Sequence, residues 1–274
     1  MTFAPSALMN DGRTIPTIGF GLWQVPNDVA VEATVTAIEA GYRHLDTAAV
    51  YENEAGVGEA IARCGIPRDE LFVTTKVWNT DHGYDQAMAA MDRSLALLGL
   101  DYVDLYLVHW PAPDTGDYLN TWRAVLAMQE QGKTISVGVS NFHEHHLERI
   151  IAEFGVVPVL DQIELHPNLQ QRPLRNFNAQ RGILTEAWSP LASGELLDDP
   201  TITSIAAKHG VSTAQAMIRW HLQLGHVVLP KSVTPERIRQ NIDVFGFNLD
   251  QQDLAAIAAM DKGKRTGPNP DEFM

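Results

Sequence analysis

Eight times along this chain a short run rich in β-branched residues gives way to a longer stretch with apolar residues at helical spacing. The short runs are Thr17-Gly19, His44-Thr47, Phe72-Lys76, Leu105-His109, Ser136-Ser140, Gln162-Leu165, Leu184-Trp188 and Val227-Lys231. Between them lie amphipathic segments such as Val29-Ala40, Tyr84-Leu98, Leu119-Gln131 and Glu144-Phe154. Strand-then-helix repetition demands parallel strands, and eight of them close into a (β/α)8 TIM barrel. That α/β class is the expected fold.

Two segments stand outside the repeat. Leu8-Met9 and Thr14-Ile15 flank Asn10-Asp11-Gly12, a hairpin signal suited to covering the bottom of a barrel. Gln251-Met260 reads as an extra C-terminal helix, and Asp261-Met274 as a Gly/Pro-rich tail. No compositional break marks a linker, so residues 1–274 are expected to form one domain.

With 274 residues, 45% hydrophobic and 20% charged, the chain can bury a large core without staples. Its single cysteine, Cys64, excludes an intramolecular disulfide and a cysteine-based metal cluster, and fits a reducing cytoplasm. No stretch has the length of a membrane span or the pattern of a signal peptide. A net charge of −14 works against nucleic acid or anionic lipid as a partner. An anionic ligand would therefore need a local cationic pocket.

In a barrel, side chains at the C-terminal ends of the strands converge on one mouth. Here those ends carry Asp46, Lys76, His109, Ser140-Asn141, Gln162, Trp188 and Lys231. Each has an ordinary explanation taken singly: a helix cap, a solvated strand end, a core histidine. Their shared placement favours a site. Tyr51 follows Asp46 by five residues and can lean over the same mouth. Its phenol, ordinarily near pKa 10, becomes a usable proton donor if the Lys76 ammonium, anchored by Asp46, lowers that pKa. His109 is then placed to orient a substrate oxygen.

These residues carry a resemblance to the aldo-keto reductase family that spans nearly the whole chain. The segments His44-Leu-Asp-Thr-Ala-Ala-Val-Tyr51, Thr74-Thr-Lys-Val-Trp78 and Leu107-Val-His-Trp-Pro111 match the family's catalytic stretches. Gly138-Val-Ser-Asn141, Gln162-Ile-Glu-Leu-His-Pro167 and Pro230-Lys-Ser232 match further motifs. The chain is most similar to the bacterial branch containing 2,5-diketo-D-gluconate reductases. The resemblance implies an NADPH-dependent oxidoreductase that reduces aldehydes, ketones or dicarbonyls, with catalytic roles on Asp46, Tyr51, Lys76 and His109. It also implies a monomer acting on a small-molecule carbonyl substrate.

By the same resemblance, Ser140, Asn141 and Gln162 meet the nicotinamide carboxamide and Trp188 stacks on the ring. Ser189, Leu191, Lys231, Ser232, Val233, Arg237, Gln240 and Asn241 complete the cofactor set. Many relatives carry an acid where Gln240 stands, and asparagine where Asp161 stands. Trp23, Ala48, Trp78, His109 and Trp110 are the implied substrate pocket. The residues agree on one point independently. Thr234-Pro235 reads as a helix start, and Lys231, Ser232 and Arg237 around it suit a phosphate; the resemblance implies that this is the adenosine 2′-phosphate, hence NADPH over NADH. Neither Gly19-Phe20-Gly21 nor Gly56-Val57-Gly58 has the form of a Rossmann fingerprint.

Two other classes remain open at this stage: a lyase using Lys76 as a Schiff base, and a sensor that binds NADPH without turnover. His143, His145 and His146 lack paired zinc-ligand spacing and read as a solvated helix end, so no metal is expected. Lys262-Gly-Lys-Arg265 reads as a solvated basic run. Because family members with long tails use them to cover the pocket, the resemblance implies that the short tail Asp261-Met274 leaves a more open site of broader specificity.

Overall fold

A computed structural model describes residues 4–114 and 117–273; the first three residues, Thr115-Gly116 in the Trp110-Tyr118 loop, and Met274 lie outside the description. Eight parallel strands follow one another around a barrel: β3 (Gly19–Gly21), β4 (His44–Asp46), β5 (Phe72–Val77), β6 (Val103–Val108), β7 (Thr134–Ser140), β8 (Leu160–Glu164), β9 (Leu184–Trp188) and β10 (Val227–Val228). The seam between β10 and β3 closes through a parallel bridge from Ile18 to Val228, with Val228 N donating to Thr17 O at 3.0 Å. Sequence placed the first strand at Thr17-Gly19, two residues early. Thr17 and Ile18 serve the seam instead, and the ladder to β4 begins at Gly19. Gly19 is required there, because a Cβ would lie 2.6 Å from the His44 ring.

Of the helices that wrap this sheet, α1 (Asn27–Ala40), α2 (Glu54–Arg63) and α3 (Tyr84–Leu98) pack successively along its outside. The glycines of α2 permit that packing: a Cβ on Gly56 would meet Asn27 O at 2.4 Å, and one on Gly58 would meet Leu98 O at 2.3 Å. They serve close helix approach. The helices α4 (Tyr118–Glu130), α5 (Glu144–Phe154), α6 (Arg172–Gln180), α7 (Pro200–His209), α8 (Thr213–Gln223) and α9 (Pro235–Ile242) continue the wrap. The extra helix α10 (Gln251–Ala258) is capped by Asp250, which accepts from the N–H groups of Gln252 and Asp253.

The N-terminal hairpin, β1 (Ser6–Leu8) with β2 (Thr14–Pro16), covers the bottom as expected. Met9 and Ile15 pack there with Leu105, Leu107, Leu160 and Val227. Asp11 accepts from Ser136 Oγ at 2.6 Å and Asn10 donates to Pro158 O at 2.9 Å, which ties the turn to the sheet. With the bottom sealed by apolar side chains, the polar strand ends are left at the top.

Candidate active site

The top of the barrel gathers an acid, an ammonium, a phenol and an imidazole. Lys76, wholly buried on β5, places Nζ 2.7 Å from Asp46 Oδ1, 2.9 Å from Thr47 O and 3.4 Å from the Tyr51 hydroxyl. Tyr51 ends a short helical turn, Ala49–Tyr51, which swings the ring from β4 back over the mouth. Its ring lies edge-on to His109 at 5.7 Å, and His109 in turn meets Trp78 at 5.1 Å and Trp110 at 6.5 Å. The four residues expected to act together do stand together.

Their electrostatics follow from burial. Removal from water alone would push the Lys76 ammonium down, but Asp46 and Tyr51 beside it hold its pKa above the ordinary lysine value. Burial, joined by Lys76, drives His109 well below the ordinary histidine range, so its ring is neutral. Tyr51 departs from expectation. Lys76 does pull its pKa down, yet burial pushes harder and the net direction is upward. The phenol is thus protonated, and the ammonium offsets only part of the cost of leaving a charge there.

Behind this group lies a second acid that sequence reading missed. Glu186 on β9 sits opposite Gln162 on β8 in the sheet register and is fully buried. Gln162 Nε2 donates to Asp46 Oδ2 at 2.8 Å and to Glu186 Oε2 at 2.7 Å. Burial and the neighbouring Asp46 raise Glu186 to a pKa of about 8. The available signal was an acid in the middle of the apolar run Leu184-Trp188, where a buried strand has no ordinary place for one.

At the ends of β7 and β9 the backbone itself is unusual. Asn141 and Ser189 hold positive φ values of 63° and 48°, a left-handed region that few non-glycine residues occupy. Asn141 donates to His109 O and to Ser140 Oγ, both at 3.0 Å, and accepts the indole N–H of Trp188 at 2.8 Å. Trp188 is therefore held by its nitrogen as well as by packing, and both amide hydrogens of Asn141 are already used.

The residues expected to meet a phosphate lie beside the seam. Lys231 lies next to Gly21, its Cβ 3.7 Å from where a Gly21 Cβ would stand. Lys231, Val233, Arg237 and Gln240 are exposed, whereas Ser232 and Asn241 are buried. Thr234 occupies the N-cap of α9, but its side chain makes no capping bond; Ser232 Oγ instead accepts from Thr234 N at 3.1 Å. Arg237 stands exposed in the first turn of α9.

Three expectations about the rim need correction. The histidines are not a solvated helix end: His146 is buried, and His143 Nδ1, His145 Nε2 and His146 Nε2 lie 2.9, 3.4 and 3.7 Å from Asp271 Oδ1 in the tail. Arg265 is not a free cation either, since it donates to His143 Nε2 at 3.2 Å and Gln171 Oε1 at 3.3 Å. Glu164 adds a third anchor by accepting from Thr266 Oγ1 at 2.8 Å. So fastened, the short tail does not leave the mouth open. Phe273 packs against Trp110 at 4.5 Å and Trp78 at 6.0 Å, closing the aromatic wall. Of the expected substrate residues, Trp23 is half exposed on the loop after β3, while Ala48 is buried just before the Tyr51 turn.

Comparison with known proteins places this geometry. The sequence profile of the Aldo/keto reductase family matches residues 17–262. An aldo-keto reductase from Mycolicibacterium smegmatis is 52% identical over 270 residues, 98% of each chain. The methylglyoxal reductase DkgA of Escherichia coli is 49% identical over 267 residues, covering 97% of this chain and 96% of its own. Among solved structures, a variant of Gox0644 in complex with NADPH superposes with a TM-score of 0.96 at 46% identity, over 100% of both chains. An aldo/keto reductase from Brucella melitensis gives 0.91 at 53% identity, over 94% of this chain and 100% of its own. On its profile match, its relatives and its fold, the chain belongs to the aldo/keto reductase family.

Proposed function

We propose that this protein is an NADPH-dependent carbonyl reductase in which Tyr51 delivers a proton to the substrate oxygen, the whole chain serving as one catalytic domain. The carrying observation is the Lys76 ammonium, held at 2.7 Å by Asp46 and reaching the Tyr51 hydroxyl at 3.4 Å at the mouth of a closed barrel. NADPH supplies the hydride. The residues fit such a cofactor: on a chain of net charge −14, Lys231 and Arg237 stand exposed at the start of α9, a place for a phosphate. Among the described residues nothing donates to Gln162 Oε1, leaving an acceptor for an amide N–H.

Within that site, each side chain has a task. Neutral His109 hydrogen-bonds the carbonyl oxygen and turns it toward Tyr51. Tyr51 gives up its hydroxyl proton as negative charge develops on that oxygen, and Lys76 stabilises the phenolate left behind. Trp78, Trp110 and Phe273 exclude water from the reacting carbon. A Schiff-base role for Lys76 is disfavoured, because its nitrogen is a charged donor to three acceptors and has no lone pair to attack with. A cofactor sensor would have no use for a protonated phenol beside an ammonium.

DkgA relatives are named for methylglyoxal, and a pocket walled by aromatic rings suits small aldehydes, ketones and dicarbonyls. The single cysteine fits work in a reducing cytoplasm, and the family resemblance favours a monomer. The deciding experiment follows NADPH absorbance with a panel of carbonyl compounds including methylglyoxal and keto sugars. Turnover of at least one class is expected; an inert panel would reject the reductase reading.

A further inference from the structure

Glu186 has no part in the proton path, yet it is fully buried beside it. It lies between Gln162 on β8 and His44 on β4, with Oε1 3.8 Å from His44 Nδ1 and Oε2 2.7 Å from Gln162 Nε2. The same amide nitrogen is 2.8 Å from Asp46 Oδ2. An amide NH₂ has two hydrogens, and here each meets one carboxyl oxygen. Asp46 is bound to the Lys76 ammonium and can only accept, so the atom between the two acids must be nitrogen. Turning the amide over would set its oxygen against the acceptor-only Asp46 carboxylate.

We propose that Glu186 is a positioning residue for the cofactor: with Asp46 it locks the Gln162 amide so that Oε1 faces the mouth as an acceptor for the nicotinamide carboxamide N–H. The proposal rests on the assignment of Gln162 to that carboxamide. Two acids are needed because one would leave the second amide hydrogen buried and unpaired, and the amide free to rotate. The charge arrangement suits the task. Asp46 balances Lys76, while His44 is driven down to a pKa of about 3 by burial and Lys76 and contributes no charge. Glu186, raised to about 8, keeps its proton at neutral pH and offers an acceptor oxygen without adding a second buried anion.

The test compares binding of NADP⁺ with that of its acetylpyridine analogue, in which a methyl ketone replaces the carboxamide and removes the N–H donors. Affinities are measured by titration for the unaltered protein and for Glu186→Gln, Glu186→Leu and Glu186→Met, with the adenosine bisphosphate half of the cofactor as a check on folding. The unaltered protein should prefer NADP⁺ by about 5- to 10-fold, the value of one hydrogen bond. Glu186→Gln keeps an acceptor oxygen and should keep the preference. Glu186→Leu should reduce it to about 2-fold or less, with adenosine bisphosphate binding unchanged. Glu186→Met, unbranched and of similar reach, carries the same test if the leucine variant fails to fold. An undiminished preference in the apolar variants would overturn the locking role. No preference in the unaltered protein would instead overturn the assignment of Gln162, and the proposal with it.

Discussion

The centre of the mouth and its phosphate corner hold charged groups under opposite conditions. In the centre, Asp46, Lys76, Gln162 and Glu186 are buried, and their contacts are 2.7–2.8 Å apart. In the corner, Lys231 and Arg237 stand in water at the start of α9. Low dielectric makes each central contact strong and its loss costly, so the central groups occur as a network in which every charge is met. The corner groups are screened and make no side-chain hydrogen bond or ion pair among the described residues; on the proposed reading their value is realised only against an anion. On that same reading, the centre does the chemistry and the corner selects between ligands.

The largest expected effect breaks the centre without disturbing the corner. Tyr51→Phe removes the proton donor and should lower reductase turnover by about 10²–10⁴, with NADPH affinity nearly unchanged. Single-turnover rates beside a cofactor titration separate the two, and reduction at the original rate would remove Tyr51 from the mechanism. Arg237→Ala attacks the corner alone. It should weaken NADPH by roughly 1.5–3 kcal/mol, or about 10- to 150-fold, with NADH little changed. The loss should shrink as salt is raised. Equal losses for both cofactors would erase the proposed division of labour.

The smallest effect concerns a buried acid on the opposite face of β8 from Gln162, against α6. Asp161 is wholly buried, accepting only long bonds of 3.4 Å from Phe142 N and Asn178 Nδ2. Burial raises its pKa to about 8, so at neutral pH it is a neutral carboxylic acid, a near match in shape and charge to asparagine. The folded state then binds a proton that the unfolded chain releases near pH 4, and stability falls as pH climbs from about 4 to 8. Asp161→Asn should remove that slope, at most about 1.4 kcal/mol per pH unit. Denaturant midpoints at pH 6 and pH 8 measure it; a constant difference between variant and parent would mean that Asp161 is ionised in the fold.

The tail shows where linear reading runs out. Lys262-Arg265 looked solvated because charged residues usually are. Arg265 and Asp271 find partners more than 90 positions away, at Gln171 and His143. Glu186 escaped notice for the same reason: its meaning lies in Gln162 and His44 on other strands. The direction of the Tyr51 shift is likewise hidden from the sequence, because the ammonium partner is visible in the motif while the depth of burial is not.

Periodicity and strand-end chemistry were enough to specify an eight-stranded barrel and the side chains at its mouth, because both repeat in fixed register with the backbone. Those are local properties, written residue by residue. The tertiary structure alone decided which charges are buried, which amide is locked and where the tail comes to rest. Dielectric, desolvation and hydrogen-bond partnership belong to neighbours in space, and the chain order does not contain them.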